Sequence, residues 1–353
     1  MSNLRSRWTA YPRTRRGWHG WLLAVAALLL VASGARADVA AVGPVGITVS
    51  DLDRAVAFYA GVLDFAPVSE RAISGEAYDR LLGVAGLRMR TATLRLGDEA
   101  LELTEYVAPR GRPLPLDSRS NDRWFQHVAI IVSDVDLAYA RLRAHGVVHV
   151  SVAPQRLPDW NPSAGGIRAF YFSDPDGHVL EILQFPPGKG DARWQDGSGR
   201  LFLGIDHTAI VVADGDASLR LYRDALGMRV VGTSENHGPE QERLNAVPGA
   251  HLRITTLRAA HGPGIELLEY LTPRDGRPAP ADLRANDLLH WQTRVETRDL
   301  GAAARALRDA GASFVSPGPI ELSAPSEEPV AALLVRDPDG HAIELVQQRE
   351  KER

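Results

Sequence analysis

The chain has 353 residues, 44 Asp and Glu against 40 Lys and Arg, and no cysteine. That length allows two ordinary domains, each with its own core, and the missing thiols exclude cysteine metal sites, iron–sulfur clusters, a cysteine nucleophile and disulfides. The only lysines, Lys189 and Lys351, stand in a Pro/Gly-rich stretch and in the polar tail, so lysine Schiff-base or phosphate-loop chemistry has no carrier.

Residues 1–37 hold six arginines, no acid and an apolar run from Trp21 to Ala32, followed by Ala35-Arg36-Ala37. A basic start, an apolar middle and a small-residue cleavage site predict a signal peptide over 1–37 and a periplasmic or secreted protein; the run is shorter than the ~20 residues of a membrane span. Thr14-Arg15-Arg16-Gly17-Trp18 is similar to a twin-arginine signal and equally to a generic basic leader, which leaves both the Sec and the twin-arginine routes open. Removing the leader takes the net charge from −4 to −10, which argues against a nucleic-acid partner. The expected partner is a small-molecule substrate, with no stable membrane span after cleavage and homodimerisation left open.

Displaced by 163 residues, Asp174-Pro175-Asp176-Gly177-His178 falls on Asp337-Pro338-Asp339-Gly340-His341, Tyr59 on Tyr222 and Glu181 on Glu344, whereas His207 falls on Pro44. The chain is therefore read as a duplication, with a first domain at 38–187, a linker at 188–203, a second domain at 204–348 and a polar tail at 349–353. The linker is marked by Pro186-Pro187-Gly188 and Asp196-Gly197-Ser198-Gly199.

Each half divides again. The first unit opens with a strand at Val45–Ser50, with Asp51 capping a helix through Val56, Tyr59 and Leu63. The second has a strand at Val128–Val132, then Asp134 and a helix ending at Gly146. The third has Thr208–Val212, Asp214 and a helix through Leu219, Tyr222 and Leu226; the fourth has Trp291–Val295 and a helix at Ala302–Ala310, stopped by Gly311. About three further strands complete each unit. Such units bury one sheet face under their helix, and two side by side curl into a cup with a face free for a ligand.

Each unit ends in a glutamate between aliphatic residues, at Glu102, Glu181, Glu266 and Glu344. Alternation along a strand sends the aliphatic neighbours under the helix and the carboxylate into the cup, where a cation offsets its burial. His127, His207 and His290 each open the first strand of a unit. The second half then offers His207, Glu266, His290 and Glu344, a nitrogen and oxygen set for a divalent metal (iron, manganese, nickel and zinc not distinguished). The first half offers only Glu102, His127 and Glu181, a degenerate second site. His178 and His341, after Asp-Pro-Asp-Gly turns, read as structural.

These strand-initial histidines, Asp-Pro-Asp-Gly-His-x-x-Glu runs and apolar-Glu-apolar strand ends resemble the vicinal oxygen chelate superfamily, which spans glyoxalases, extradiol dioxygenases and bleomycin-resistance proteins. The resemblance implies an α+β fold of four βαβββ modules, paired into two domains with cup-shaped mixed sheets. It also implies a glyoxalase-like lyase or isomerase, metal-dependent, with Glu344 doubling as catalytic base; the scarcity of glutathione outside the cytoplasm makes a glutathione substrate awkward. Two alternatives stand beside it. An extradiol dioxygenase would use His207, His290 and Glu344, although the histidine and tyrosine of that signature are missing from Leu322 to Val335 and only the tyrosine end, Phe170-Tyr171-Phe172, occurs in the first half. A metal-free small-molecule binding protein is the other, and the first half suits it best.

Overall fold

The computed structural model describes residues 37–195, 199–322 and 330–348; the expected leader, up to residue 36, and the tail at 349–353 lie outside them. Module one comprises β1 (Val39–Val49), α1 (Leu52–Leu63), β2 (Ala66–Ser74), α2 (Glu76–Leu82), β3 (Arg88–Leu96) and β4 (Glu99–Ala108). Module two comprises β5 (Gln126–Val132), α3 (Val135–Ala144), β6 (Val148–His149), β7 (Gln155–Arg156), β8 (Arg168–Ser173) and β9 (Val179–Gln184). Module three has β10 (Phe202–Val212), α4 (Gly215–Leu219) continued by a π-helical turn at Arg220–Ala225, β11 (Arg229–His237), α5 (Pro239–Asn245), β12 (His251–Arg258) and β13 (Gly264–Thr272). Module four has β14 (Trp291–Thr297), α6 (Leu300–Asp309), β15 (Ser313–Phe314), β16 (Ile320–Leu322), β17 (Val330–Arg336) and β18 (Ala342–Gln348). This is the expected α+β class. No helix among the described residues is long and apolar enough to cross a membrane.

The local signals act as their chemistry requires. Asp51, Asp134, Asp214 and Asp299 sit in extended backbone and accept amide hydrogens from the first turn of α1, α3, α4 and α6, satisfying donors that have no intrahelical partner. Expected linker residues 188–203 contain a 3₁₀ turn, Ala192–Gln195, with Trp194 buried, and strand β10 already begins at Phe202. Lys189 is spent there on the carbonyls of Pro162, Ser163 and Gly165.

Pairing of the modules departs from the expectation that each half closes its own cup. The first sheet runs β15-β17-β18-β14-β1-β4-β3-β2, so module four joins module one; the second runs β11-β12-β13-β10-β5-β9-β8-β6, so module three joins module two. The seams are the antiparallel pairs β1·β14 and β10·β5. Each half nevertheless shares its helix-side core. Val45, Ile47, Tyr59 and Leu63 pack in one cluster with Val128, Ile130 and Leu142, and Ile210, Leu221 and Tyr222 pack with Val295, Leu300 and Leu307.

Polar contacts between modules come in duplicate. Arg112 binds Asp287 and Asp282, while Arg277 binds Asp122 and Asp117. His178 bonds Asp174 through Nδ1 and donates to the carbonyl of Leu288 at 2.9 Å, and His341 does the same to Val211 at 2.8 Å. Tyr59 and Tyr222 cap the matching aspartates, Asp174 and Asp337. The two crossing loops touch so closely that a Cβ at Gly276 would lie 1.8 Å from the Asn121 carbonyl oxygen. Gly276→Ala is therefore expected to lower unfolding stability by about 1–3 kcal/mol, the range for overpacking against a fixed neighbour, in urea titration followed by far-UV circular dichroism.

Candidate metal centre

The four glutamates project as the strand alternation requires. Leu101, Leu103, Leu180, Ile182, Ile265, Leu267, Ile343 and Leu345 enter the helix-side cores, and the carboxylates between them face two cavities. Glu181 and Glu266 face a cavity of about 600 Å³ in the second sheet. Glu102 and Glu344 face one of about 380 Å³ in the first.

In the second sheet the strand order β13-β10-β5-β9 sets Glu266, His207, His127 and Glu181 side by side. His127 Nε2 is 3.1 Å from Glu181 Oε2; His207 Nε2 is 3.7 Å from the same oxygen and 3.4 Å from Glu266 Oε2. One donor atom each from His127, Glu181 and His207 lies within 4.8 Å of the others. Octahedral donors around a first-row ion are about 3–4 Å apart, so the spacing suits one cation. His127 tests the fit independently: it is buried, and neither ring nitrogen has a hydrogen-bond partner among the described residues, even with Glu181 so close. An unpaired buried nitrogen costs about 1–3 kcal/mol. A metal accepting its lone pair removes that cost.

Neighbouring groups orient the set. Asp206 Oδ2 accepts from His207 Nδ1 at 3.0 Å, which leaves Nε2 toward the carboxylates. Asp206 is itself held by Arg258 at 2.7 Å and by the Trp194 indole at 3.2 Å. Thr256 donates to Glu266 Oε1 at 2.8 Å and fixes that carboxylate. Burial works to lower the pKa of His207, but Glu266, Asp206 and Glu181 outweigh it and push it up to about 9. Burial likewise opposes ionisation of Asp206, yet His207 and Arg258 hold its pKa well below the usual carboxylate range. Because a carboxylate on the remote nitrogen raises ligand basicity and fixes the ring, Asp206→Asn is expected to weaken metal affinity roughly 10–100-fold, read by competition with a chromophoric chelator.

The expected quartet is thus not assembled. His207 and Glu266 belong to this cup, where His127 and Glu181 from the expected degenerate trio complete the set, while the trio's third member, Glu102, lines the other cup with His290 and Glu344. His290 is also displaced by two residues from the position of His127. Phe125 and His290 make the same backbone bonds, donating to Asp122 and Asp287 and accepting from Val211 and Thr48. His127 stands opposite Ala209 in β10, and Gln292 stands opposite Gly46 in β1. The 163-residue offset becomes 165 in this stretch, because Gly311 to Asp337 is two residues shorter than Gly146 to Asp174. His290 spends its nitrogens on Gln292 and Arg336, at 3.1 and 3.3 Å; burial and then Arg336 lower its pKa to about 3. Glu344, expected as the base, is 2.7 Å from Arg294. The pattern of repeated glutamates did not point to Asp206, Arg258 and Thr256; the Asp206-His207 dipeptide was the readable signal.

Models of the "Glyoxalase/Bleomycin resistance protein/Dioxygenase superfamily" match residues 41–182 and 204–345, most of the chain. The chain belongs to this superfamily. Among curated proteins it is similar to a 2-epi-5-epi-valiolone epimerase from Actinomyces, 41% identical over 153 residues, 42% of this chain and 81% of that one. It is also similar to the uncharacterised protein YaeR of Escherichia coli, 29% identical over 40% of this chain and 92% of YaeR. Glyoxalase I from Zea mays shares the fold, with a TM-score of 0.56 and 18% identity over 87% of this chain and 92% of the other. Among the described residues, the His-Glu-His group that could bind a metal lies in the second-sheet cup.

Proposed function

We propose that the second-sheet cup is the active site of a metal-dependent isomerase, of epimerase type, acting on a small oxygen-rich substrate. The observation that carries this reading is the His127, Glu181, His207 and Glu266 group, with two carboxylates flanking two imidazoles. Similarity to an epimerase supports the reaction class. A metal held by these residues would supply electrophilic polarisation of substrate oxygens.

Epimerisation removes a proton from one face of a carbon beside a carbonyl and returns one to the other. Glu181 and Glu266 sit on β9 and β13, on opposite sides of the β5·β10 seam, so one can accept the proton and the other deliver it. The buried Tyr171 ring, 4.7 Å from that of His127, and the apolar side chains Leu157 and Leu268 wall off water. Two histidines and one carboxylate are enough for ring-cleaving iron chemistry; the second carboxylate favours the isomerase. Export is part of the proposal, supported by the arginine-rich leader with its short apolar run.

The test is incubation of metal-loaded protein with a polyhydroxylated cyclic ketone in D₂O. Solvent deuterium entering at the carbon beside the carbonyl, without oxygen uptake, is the expected result. Oxygen uptake with catechols and no exchange would replace the isomerase by a dioxygenase.

A further inference from the structure

We propose that the first-sheet cup is a second, metal-independent binding site for uncharged, ring-bearing small molecules with one or two hydrogen-bonding groups, its floor closed by an ion triad of Glu102, Arg294 and Glu344. The register identifies the substitutions that made it. Pro44 and Gln292 stand where the second sheet has His207 and His127, so both imidazoles are gone, while both carboxylates remain. Arg294 stands opposite Glu344 where the small Ala129 stands opposite Glu181. Its guanidinium lies 2.7 Å from Glu344 and 3.2 Å from Glu102, and thus puts a fixed cation between the two carboxylates.

The surroundings have adjusted to that cation. A Cβ at Gly46 would lie 2.7 Å from Gln292 Cγ, so the absence of a side chain there makes room for Gln292, which donates to Glu344 at 3.1 Å. The cup wall has changed in the same direction. Helices α2 and α5 are equivalent seven-residue elements, and Leu82 replaces Asn245, the residue that donates to the Tyr270 hydroxyl at 2.7 Å. Tyr106, the counterpart of Tyr270, is 5% exposed and lines the cup, and among the described residues its hydroxyl has no hydrogen-bond partner.

These features define the ligand. Ile73, Leu81, Leu82 and Met89 provide apolar walls around about 380 Å³, room for a bicyclic ring system. A free phenol asks for an acceptor such as a carbonyl. An anion would meet Glu102, Glu296 and Glu344 against Arg71 and Arg294, an excess of negative charge in a half-enclosed space, and would lose its hydration without a counter-ion.

Binding of 6-propionyl-2-dimethylaminonaphthalene, a neutral fluorescent naphthalene with one ketone, to the full chain tests this, and EDTA-stripped protein separates it from the metal reading. Saturable binding unchanged by EDTA is expected. Affinity should fall at least about tenfold when Ile73→Trp or Thr104→Trp fills the cup from different strands, stay unchanged in Ile254→Trp on the other sheet, and fall roughly three- to tenfold in Tyr106→Phe. Anilinonaphthalene sulfonate, the anionic comparison, should bind at least about tenfold more weakly. Binding that requires metal, that is lost in Ile254→Trp rather than in the first-sheet variants, or that is equally tight for the sulfonate would overturn the proposal. So would no binding at all.

Discussion

Glu266→Gln is expected to slow proton exchange by about 10²–10⁴-fold, the usual worth of a general acid or base. The amide keeps the shape of the side chain, and its oxygen can still accept from Thr256, as Glu266 does at 2.8 Å. It cannot take up a proton, and it brings no charge to the face of His207 that now lies 3.4 Å from Oε2. Turnover measured by deuterium incorporation, beside metal content measured on the same preparation, separates loss of the base from loss of the ion. The same change at Glu344, the residue that the family resemblance made the expected base, should leave turnover within about threefold of wild type, as expected for a residue remote from the transition state. A large loss in Glu344→Gln with none in Glu266→Gln would move the chemistry to the first sheet.

Arg294→Ala should be among the most destabilising single changes in the first sheet. It leaves Glu344, 5% exposed, without its cation, and Glu102, 8% exposed, with only the distant Arg71 at 4.0 Å. Breaking a buried ion pair by removing one partner costs about 3–5 kcal/mol; the Arg294 side chain is a quarter exposed, which places the expected loss near the lower end of that range. Urea unfolding gives the number directly. A variant carrying Arg294→Met with Glu102→Gln and Glu344→Gln should recover most of the loss, because no buried charge is then left unpaired. If Arg294→Ala is as stable as wild type, the triad does not organise the floor of that cup.

Much of the fold was readable because its determinants are local. Alternating strands, aspartate caps and glycine stops lie within a few residues of one another, and the duplication exposed the module boundaries. Helices α2 and α5 escaped because each has only seven residues and a glycine at the N-cap with no side-chain bond. The site was half readable. Glutamates between aliphatic residues point into the cups on strand alternation alone, and all four do. Which of them share a cup depends on seams between residues such as Ala209 and His127, 82 positions apart in sequence, and no local pattern encodes that pairing. His290 misled for a related reason. Two residues along a strand keep a side chain on the same face, so a two-residue shift in the repeat looked like equivalence until the register put Gln292 opposite Gly46.

Metal content of three proteins, wild type, His127→Ala and His290→Ala, tests the central claim most directly. Elemental analysis after purification and reloading should give about one divalent ion per chain in wild type and in His290→Ala, and nearly none in His127→Ala, because among the described residues the second-sheet cup is the one that brings two imidazoles and two carboxylates together. Loss of metal in His290→Ala with retention in His127→Ala, or two ions per chain in wild type, would contradict it.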